Sequence, residues 1–122
     1  MTTVTATHTD DLVILKVTGR LTFDALAEII EMHYPTVTLN ILWDLRECDL
    51  NSITTEQFKQ IPAIAKPHLK LRKEGGMTAY VGSSSSDIGI LNMYTVLAEI
   101  RGMKNEYFVF KSFDDALKLL SV

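Results

Sequence analysis

Apolar and polar residues alternate at the start of the chain. From Thr3 to His8, β-branched Thr and Val interleave with small residues, and from Leu12 to Thr18 the set Leu12, Ile14 and Lys16 alternates with Val13, Leu15 and Val17. A period of two marks a strand. Thr9, Asp10 and Asp11 supply turn chemistry between the runs, so the pattern predicts a β-hairpin. Lys16 is the only charge in the second run, which places that strand more centrally and the first nearer an edge. The period then lengthens. Phe23, Leu26, Ile29, Ile30 and His33 or Tyr34 share one helical stripe, with Asp24, Glu28 and Glu31 off it. Thr22 is placed to cap this helix, Leu21 to staple against Leu26, and Pro35 to stop it.

Leu39 to Asp44 is apolar on both faces and predicts a central strand. It runs into an acidic loop that ends at Thr54 and Gln57, which have capping-box spacing, with Ile53 placed to staple onto Phe58. The helix that follows is interrupted at Pro62 and again near Pro67, because each proline lacks an amide donor and crowds the preceding turn. A bent or two-piece element reaching Glu74 is expected, with Gly75 and Gly76 ending it and Met77 to Val81 forming the next strand. Gly82 and four serines precede a helix from Ile88 to Arg101, where Ser84 and Asp87 again have capping-box spacing and Gly102 closes the helix. Glu106 to Phe110 is the last strand, and Ser112 with Asp115 caps a terminal helix ending at Leu120. After the hairpin, each strand-helix-strand unit favours a right-handed parallel crossover. The expected architecture is a single α/β domain over residues 1–122, a mixed sheet of about five strands covered by about four helices.

Composition agrees with one domain: 122 residues with 47% hydrophobic content bury one core of ordinary size. A net charge of −3, with acids and bases mixed along the chain, argues against nucleic acid as a partner. One cysteine, Cys48, precludes an intrachain disulfide and suits a reducing compartment, and it reads as a small apolar residue more readily than as a reactive thiol. No charged-then-apolar leader opens the chain, and no apolar run approaches the roughly 20 residues that span a bilayer. A cytoplasmic protein without a transmembrane segment is expected.

The chain offers little catalytic chemistry. His8, His33 and His68 fall on three different elements, none with a second ligand at metal spacing. Walker, dinucleotide and nucleophile-elbow motifs are missing. No catalytic residue, cofactor or metal is therefore assigned. Asp44 and Asp49 could pair as carboxylates across a loop, although strand-end aspartates commonly accept amide hydrogen bonds instead. In that loop Ser52 and Thr54 are candidate phosphoacceptors, since a helix N-terminus stabilises added negative charge, with simple capping as the competing role. Asp44, Arg46, Asp49 and Asn51 complete a candidate partner-facing surface. Gly82 to Ser86 could cradle an anion, but Asp87 in the first turn opposes one. Lys66, Lys70, Arg72 and Lys73, with His68 among them, form a basic cluster suited to acidic headgroups or an acidic partner face, or simply a solvated helix end. The helix from Ile88 is apolar around more than one face, which points to a self-association surface of Ile90, Met93, Tyr94 and Leu97, with Met93 and Tyr94 exposed.

In its order of elements the chain resembles the SpoIIAA-like group of the STAS superfamily, the sulfate-transporter and anti-sigma-factor-antagonist fold. The resemblance rests on Val17-Thr18-Gly19-Arg20-Leu21-Thr22 closing the hairpin, on Ile41-Leu42-Trp43-Asp44-Leu45 running into a loop and helix, and on Ala79-Tyr80-Val81-Gly82 before a helix. It implies a non-catalytic binding or regulatory module. In the antagonist branch a serine beside a glycine at the start of the second helix is phosphorylated by a partner kinase. That motif falls here on Asp49-Leu50-Asn51-Ser52-Ile53-Thr54, where the Ser-Gly pair is absent and Ser52 stands in about the right place. The group is also similar to the core of SEC14-type lipid-transfer domains, without their enclosing helices. Two roles follow as expectations: an interaction module that forms a homodimer or docks a regulatory partner, and, as the alternative, a carrier of a small apolar or acid-headed ligand. An enzyme using Asp44 or Asp49 lacks an accompanying nucleophile, metal or cofactor motif.

Overall fold

The computed structural model describes residues 2–100 and 106–121. The opening alternation folds as the hairpin β1 (Thr2–Thr9) and β2 (Leu12–Arg20), antiparallel in unbroken register from Thr2 opposite Gly19 to Thr9 opposite Leu12. Asp10 turns the hairpin at a φ of 48°, a left-handed conformation that Asp tolerates. Thr22 then caps α1 (Phe23–His33) through a 3.1 Å hydrogen bond from the Ala25 amide, and Leu26, Ile29, Ile30 and Tyr34 are buried along one side of it. The chain continues through β3 (Asn40–Asp49), α2 (Thr55–Phe58), α3 (Ile61–Ala65), a 3₁₀ segment at Lys66–Leu71, β4 (Met77–Val81), α4 (Ser85–Ile100), β5 (Glu106–Phe110) and α5 (Phe113–Leu120). Pro62 and Pro67 each stand in the first two positions of their helical segment, where the missing amide costs least. The expected bent element is therefore two short helices and a 3₁₀ turn, ending at Leu71 and not at Glu74. Helix α4 begins three residues earlier than expected, capped by Ser84, which accepts from the Asp87 amide at 3.1 Å. Arg101 and Gly102 lie outside the described residues.

The five strands lie in the order β1-β2-β3-β4-β5, antiparallel in the hairpin and parallel from β2 onward. Right-handed crossovers that all step in one direction place their helices on one face. On that face Val13, Leu15, Val17, Ile41, Trp43, Leu45 and Tyr80 meet the apolar sides of α1, α2, α3 and α4. The opposite face, with Leu12, Leu42, Ala79 and Val81, receives α5 through Ala116 and Leu120.

Strand β3 is longer than its apolar run suggests. Its register with β2 shifts between Lys16 and Thr18, where Lys16 faces Asp44 and Thr18 faces Glu47, so β3 carries one extra residue. This bulge reverses which positions face the helices: Ile41, Trp43 and Leu45 point inward before it and Cys48 after it. Arg46 and Asp49 thus belong to a strand and not to the loop in which the sequence pattern placed them.

Candidate functional site

The tip between β3 and α2 lies where the parallel strands end, the position at which α/β folds gather ligands and partners. Leu50 and Ile53 are buried and hold it from beneath, while Asn51, Ser52, Thr54, Thr55 and Glu56 are exposed. Asp49 turns the chain by accepting from the Asn51 amide at 2.9 Å and from Asn51 Nδ2 at 3.0 Å. The Thr54 amide donates to Gln57 Oε1 at 2.9 Å, and the Gln57 amide donates to Thr54 Oγ1 at 3.1 Å, completing the capping box. The Thr54 hydroxyl is thereby committed to its own helix, whereas Ser52 makes no side-chain hydrogen bond among the described residues.

Asp44 is not part of this surface. It is buried on the α5 side of the sheet, where Arg46 Nε and Nη2 donate to its two oxygens at 2.8 and 2.9 Å. Burial alone would raise its pKa, but the guanidinium and the Arg46 amide outweigh that and lower it. Arg46 lies in turn 4.7 Å above the ring of Phe113. Asp44 and Asp49 therefore engage different partners and form no carboxylate pair. Cys48 is buried, and desolvation pushes its thiol up to about 11, which makes it an inert apolar residue.

The basic cluster does not assemble. The chain turns extended at Arg72 and carries its guanidinium inward, where Nε and Nη2 donate to the Leu39 carbonyl at 3.0 and 2.7 Å, Nη2 to the Met77 carbonyl at 2.9 Å and Nη1 to Thr78 Oγ1 at 3.0 Å. These bonds satisfy backbone carbonyls at the starts of β3 and β4. Lys73 pairs with Asp11 at 3.2 Å and His68 with Glu31 at 3.3 Å. Only Lys66 and Lys70 of the four proposed bases remain exposed without an ion pair among the described residues.

Tyr94 is likewise interior, at 5% exposure. The registry of α4 turns Leu91, Tyr94 and Ala98 onto the sheet and leaves Ile90, Met93 and Leu97 partly buried beside the core. The apolar residues that α4 leaves in solvent are Val96 and Ile100, at 53% and 73%. Tyr94 instead closes a chain of rings: Tyr34 and Trp43 meet at 6.0 Å, Trp43 and Tyr80 at 6.3 Å, Tyr80 and Tyr94 at 5.8 Å, Tyr94 and Phe58 at 6.0 Å. Trp43 Nε1 donates to the Tyr34 hydroxyl at 3.3 Å. These rings border a cavity of about 30 Å³, the space of about one water and far below the roughly 150 Å³ that admits benzene. It offers an acyl chain no room as it stands.

No protein-family model and no curated protein matches the sequence. Solved structures do match the fold. An anti-sigma factor antagonist from Mycobacterium paratuberculosis superposes with a TM-score of 0.69 at 14% identity, over 100% of this chain and 96% of that one. An uncharacterized protein with a SpoIIAA-like fold from Shewanella loihica gives 0.58 at 18%, over 98% of this chain and 93% of the other. The chain has the SpoIIAA-like fold. The anti-sigma factor antagonist SpoIIAA in its unphosphorylated form also superposes, with a TM-score of 0.58 at 13% identity over 98% of both chains.

Within this SpoIIAA-like domain the structure gathers Asp49, Asn51, Ser52 and Thr54 at one tip and separates Asp44, Arg46 and the basic residues from it. Sequence reasoning missed the inward turn of Arg72 and the ring chain. The ring chain carried a signal, since Trp43 and Tyr80 occupy positions directly opposite in the register of β3 and β4. Arg72 carried none, because it bonds main-chain carbonyls that any sequence supplies and a threonine hydroxyl that its spacing does not single out. Among the described residues no group of three His, Cys, Asp or Glu side chains could hold a metal, and no helix is long and apolar enough to cross a membrane.

Proposed function

We propose that this protein is a non-catalytic, cytoplasmic regulatory module that binds a protein partner through the tip between β3 and α2. The observation that carries the reading is that tip: Asn51, Ser52, Thr54, Thr55 and Glu56 are exposed together on a base fixed by Leu50, Ile53 and the capping box. A surface held rigid before binding loses little entropy on binding. The full-length likeness to anti-sigma factor antagonists supports the same role. Ser52 is the side chain at which the module is switched. Phosphorylation there adds about −1.5 to −2 charge beside Asp49 and Glu56, and like-charge repulsion opens the Asp49–Asn51 turn.

The test begins with capture of the partner from the native host and continues with both proteins purified. Ser52→Glu and Asn51→Arg weaken the reconstituted complex at least about tenfold, while Lys70→Glu, exposed on the 3₁₀ segment that leads to the opposite end of the sheet, leaves it unchanged. Equal binding by all three variants overturns the proposal. Peptide mass spectrometry of host-isolated protein then locates a phosphoryl group on Ser52; its presence on Thr54 alone would reassign the switch.

A further inference from the structure

We propose that β1 pairs with β1 of a second copy of this chain, antiparallel about a two-fold axis normal to the sheet, so that two five-stranded sheets become one. This interface is separate from the tip and independent of the reading given above. β1 is the outermost strand of the sheet, and among the described residues no strand pairs with its outer edge. Edge strands are normally guarded by a charge, a proline, a bulge or a covering element. The sequence of β1, TTVTATHT, contains no proline and no Asp, Glu, Lys or Arg, and its register with β2 has no bulge. Its β-branched composition suits pairing.

Symmetry narrows the arrangement. Residues opposite one another in an antiparallel pair share a sheet face, so the sum of their numbers is even when the strand pairs with itself. The axis then passes through Thr5 or Ala6. Either register sets the outer-face threonines of the two copies against each other, where hydroxyls pair favourably and no like charges meet.

The flank of the strand fits a second copy as well. Helix α1 leaves a groove of about 160 Å³ beside β1, lined by Val4, Ala25, Glu28, Ile29, Met32 and His33 together with Thr2, and Met32 is 68% exposed. The helix runs from the Thr2 end of the strand, where Thr2 Oγ1 bonds the Arg20 carbonyl, to the Thr9 end, where His8 Nε2 lies 3.0 Å from Thr36 Oγ1. Glu28 thus stands toward one end of the groove and His33 toward the other. Antiparallel pairing brings Glu28 of each copy toward the histidine end of its neighbour.

Sedimentation of the full chain from micromolar to near-millimolar concentration tests this, with hydrogen exchange of the β1 amides measured across the same range. The wild type is expected to dimerise, and β1 protection to rise with concentration. Thr5→Glu combined with Thr7→Glu places carboxylates opposite one another in either register and raises the dissociation constant at least about tenfold. Within its own chain the new acid at position 5 faces Lys16, its partner in β2, so the monomer keeps its fold. Met32→Glu, at an exposed site, moves the constant in the same direction. A chain that stays monomeric throughout overturns the proposal. So does a dimer that these variants leave intact, or one that dissolves instead on Val96→Glu.

Discussion

The fold buries the carboxylate of Asp44 and supplies its counter-charge from two residues along the same strand. Asp44 has a side chain 5% exposed and Arg46 one 43% exposed, so solvent screens part of the attraction. The pKa of Asp44 is lowered in the folded chain. A carboxyl of that kind contributes stability above its unfolded pKa of about 4, and the contribution fades as pH falls through the folded value. Asp44→Asn is expected to cost about 1 kcal/mol at neutral pH. In urea melts the gap between variant and wild type should narrow toward pH 3; a gap of constant size would mean that charge is not the source. The sequence offered Asp44 as one half of a carboxylate pair or as a turn former. Its actual role is set by Arg46, two residues along the same strand, whose amide and guanidinium both donate to it.

At the scale of elements, α5 is short yet covers the second face of the sheet over β3, β4 and β5. Ser112 caps it at 3.2 Å, and Ala116 and Leu120 are buried against Leu12, Leu42, Ala79 and Val81. Asn40 fastens its far end: Nδ2 donates to the Leu120 carbonyl at 3.1 Å while Oδ1 accepts from the Met77 amide at 2.9 Å. One buried amide thus joins β3, β4 and α5. Leu120→Ala leaves a cavity that the clamped neighbours cannot fill, and should lower the unfolding free energy by about 2–4 kcal/mol in a urea melt. A loss well under 1 kcal/mol would mean that α5 docks more loosely than this geometry. Both the cap and the apolar side of α5 were legible in the sequence. The clamp was not, because Asn40 stands at the head of an apolar run and meets its partners across long sequence separations.

Across the whole molecule, all four tyrosines gather on the face of the sheet that α1 to α4 cover. Burial raises the pKa of each of them, Tyr80 and Tyr94 well above the ordinary phenol. Groups whose folded pKa is raised stabilise the protein below their unfolded pKa, near 10, and withdraw that support as pH climbs through the folded value. A spectrophotometric titration should therefore show little phenolate at pH 10 and a steep rise that coincides with alkaline unfolding. Gradual ionisation near pH 10 with far-ultraviolet dichroism unchanged would contradict the buried ring chain.

The sequence by itself determined the elements, since hydrophobic period, caps and prolines act over a few residues. With the chirality of crossovers it also determined the parallel sheet and the placing of β1 at its edge. The capped tip after β3 followed in the same way, from Thr54, Gln57 and the buried Ile53. Tertiary structure alone decided which side chains reach one another. Arg72 left the basic cluster for the Leu39 and Met77 carbonyls and the Thr78 hydroxyl, Tyr94 left the surface for a ring stack, and Arg46 left the loop because β3 runs on beside β2 as far as Asp49. Each outcome depends on groups far apart in the chain, and local periodicity carries no information about distances between them.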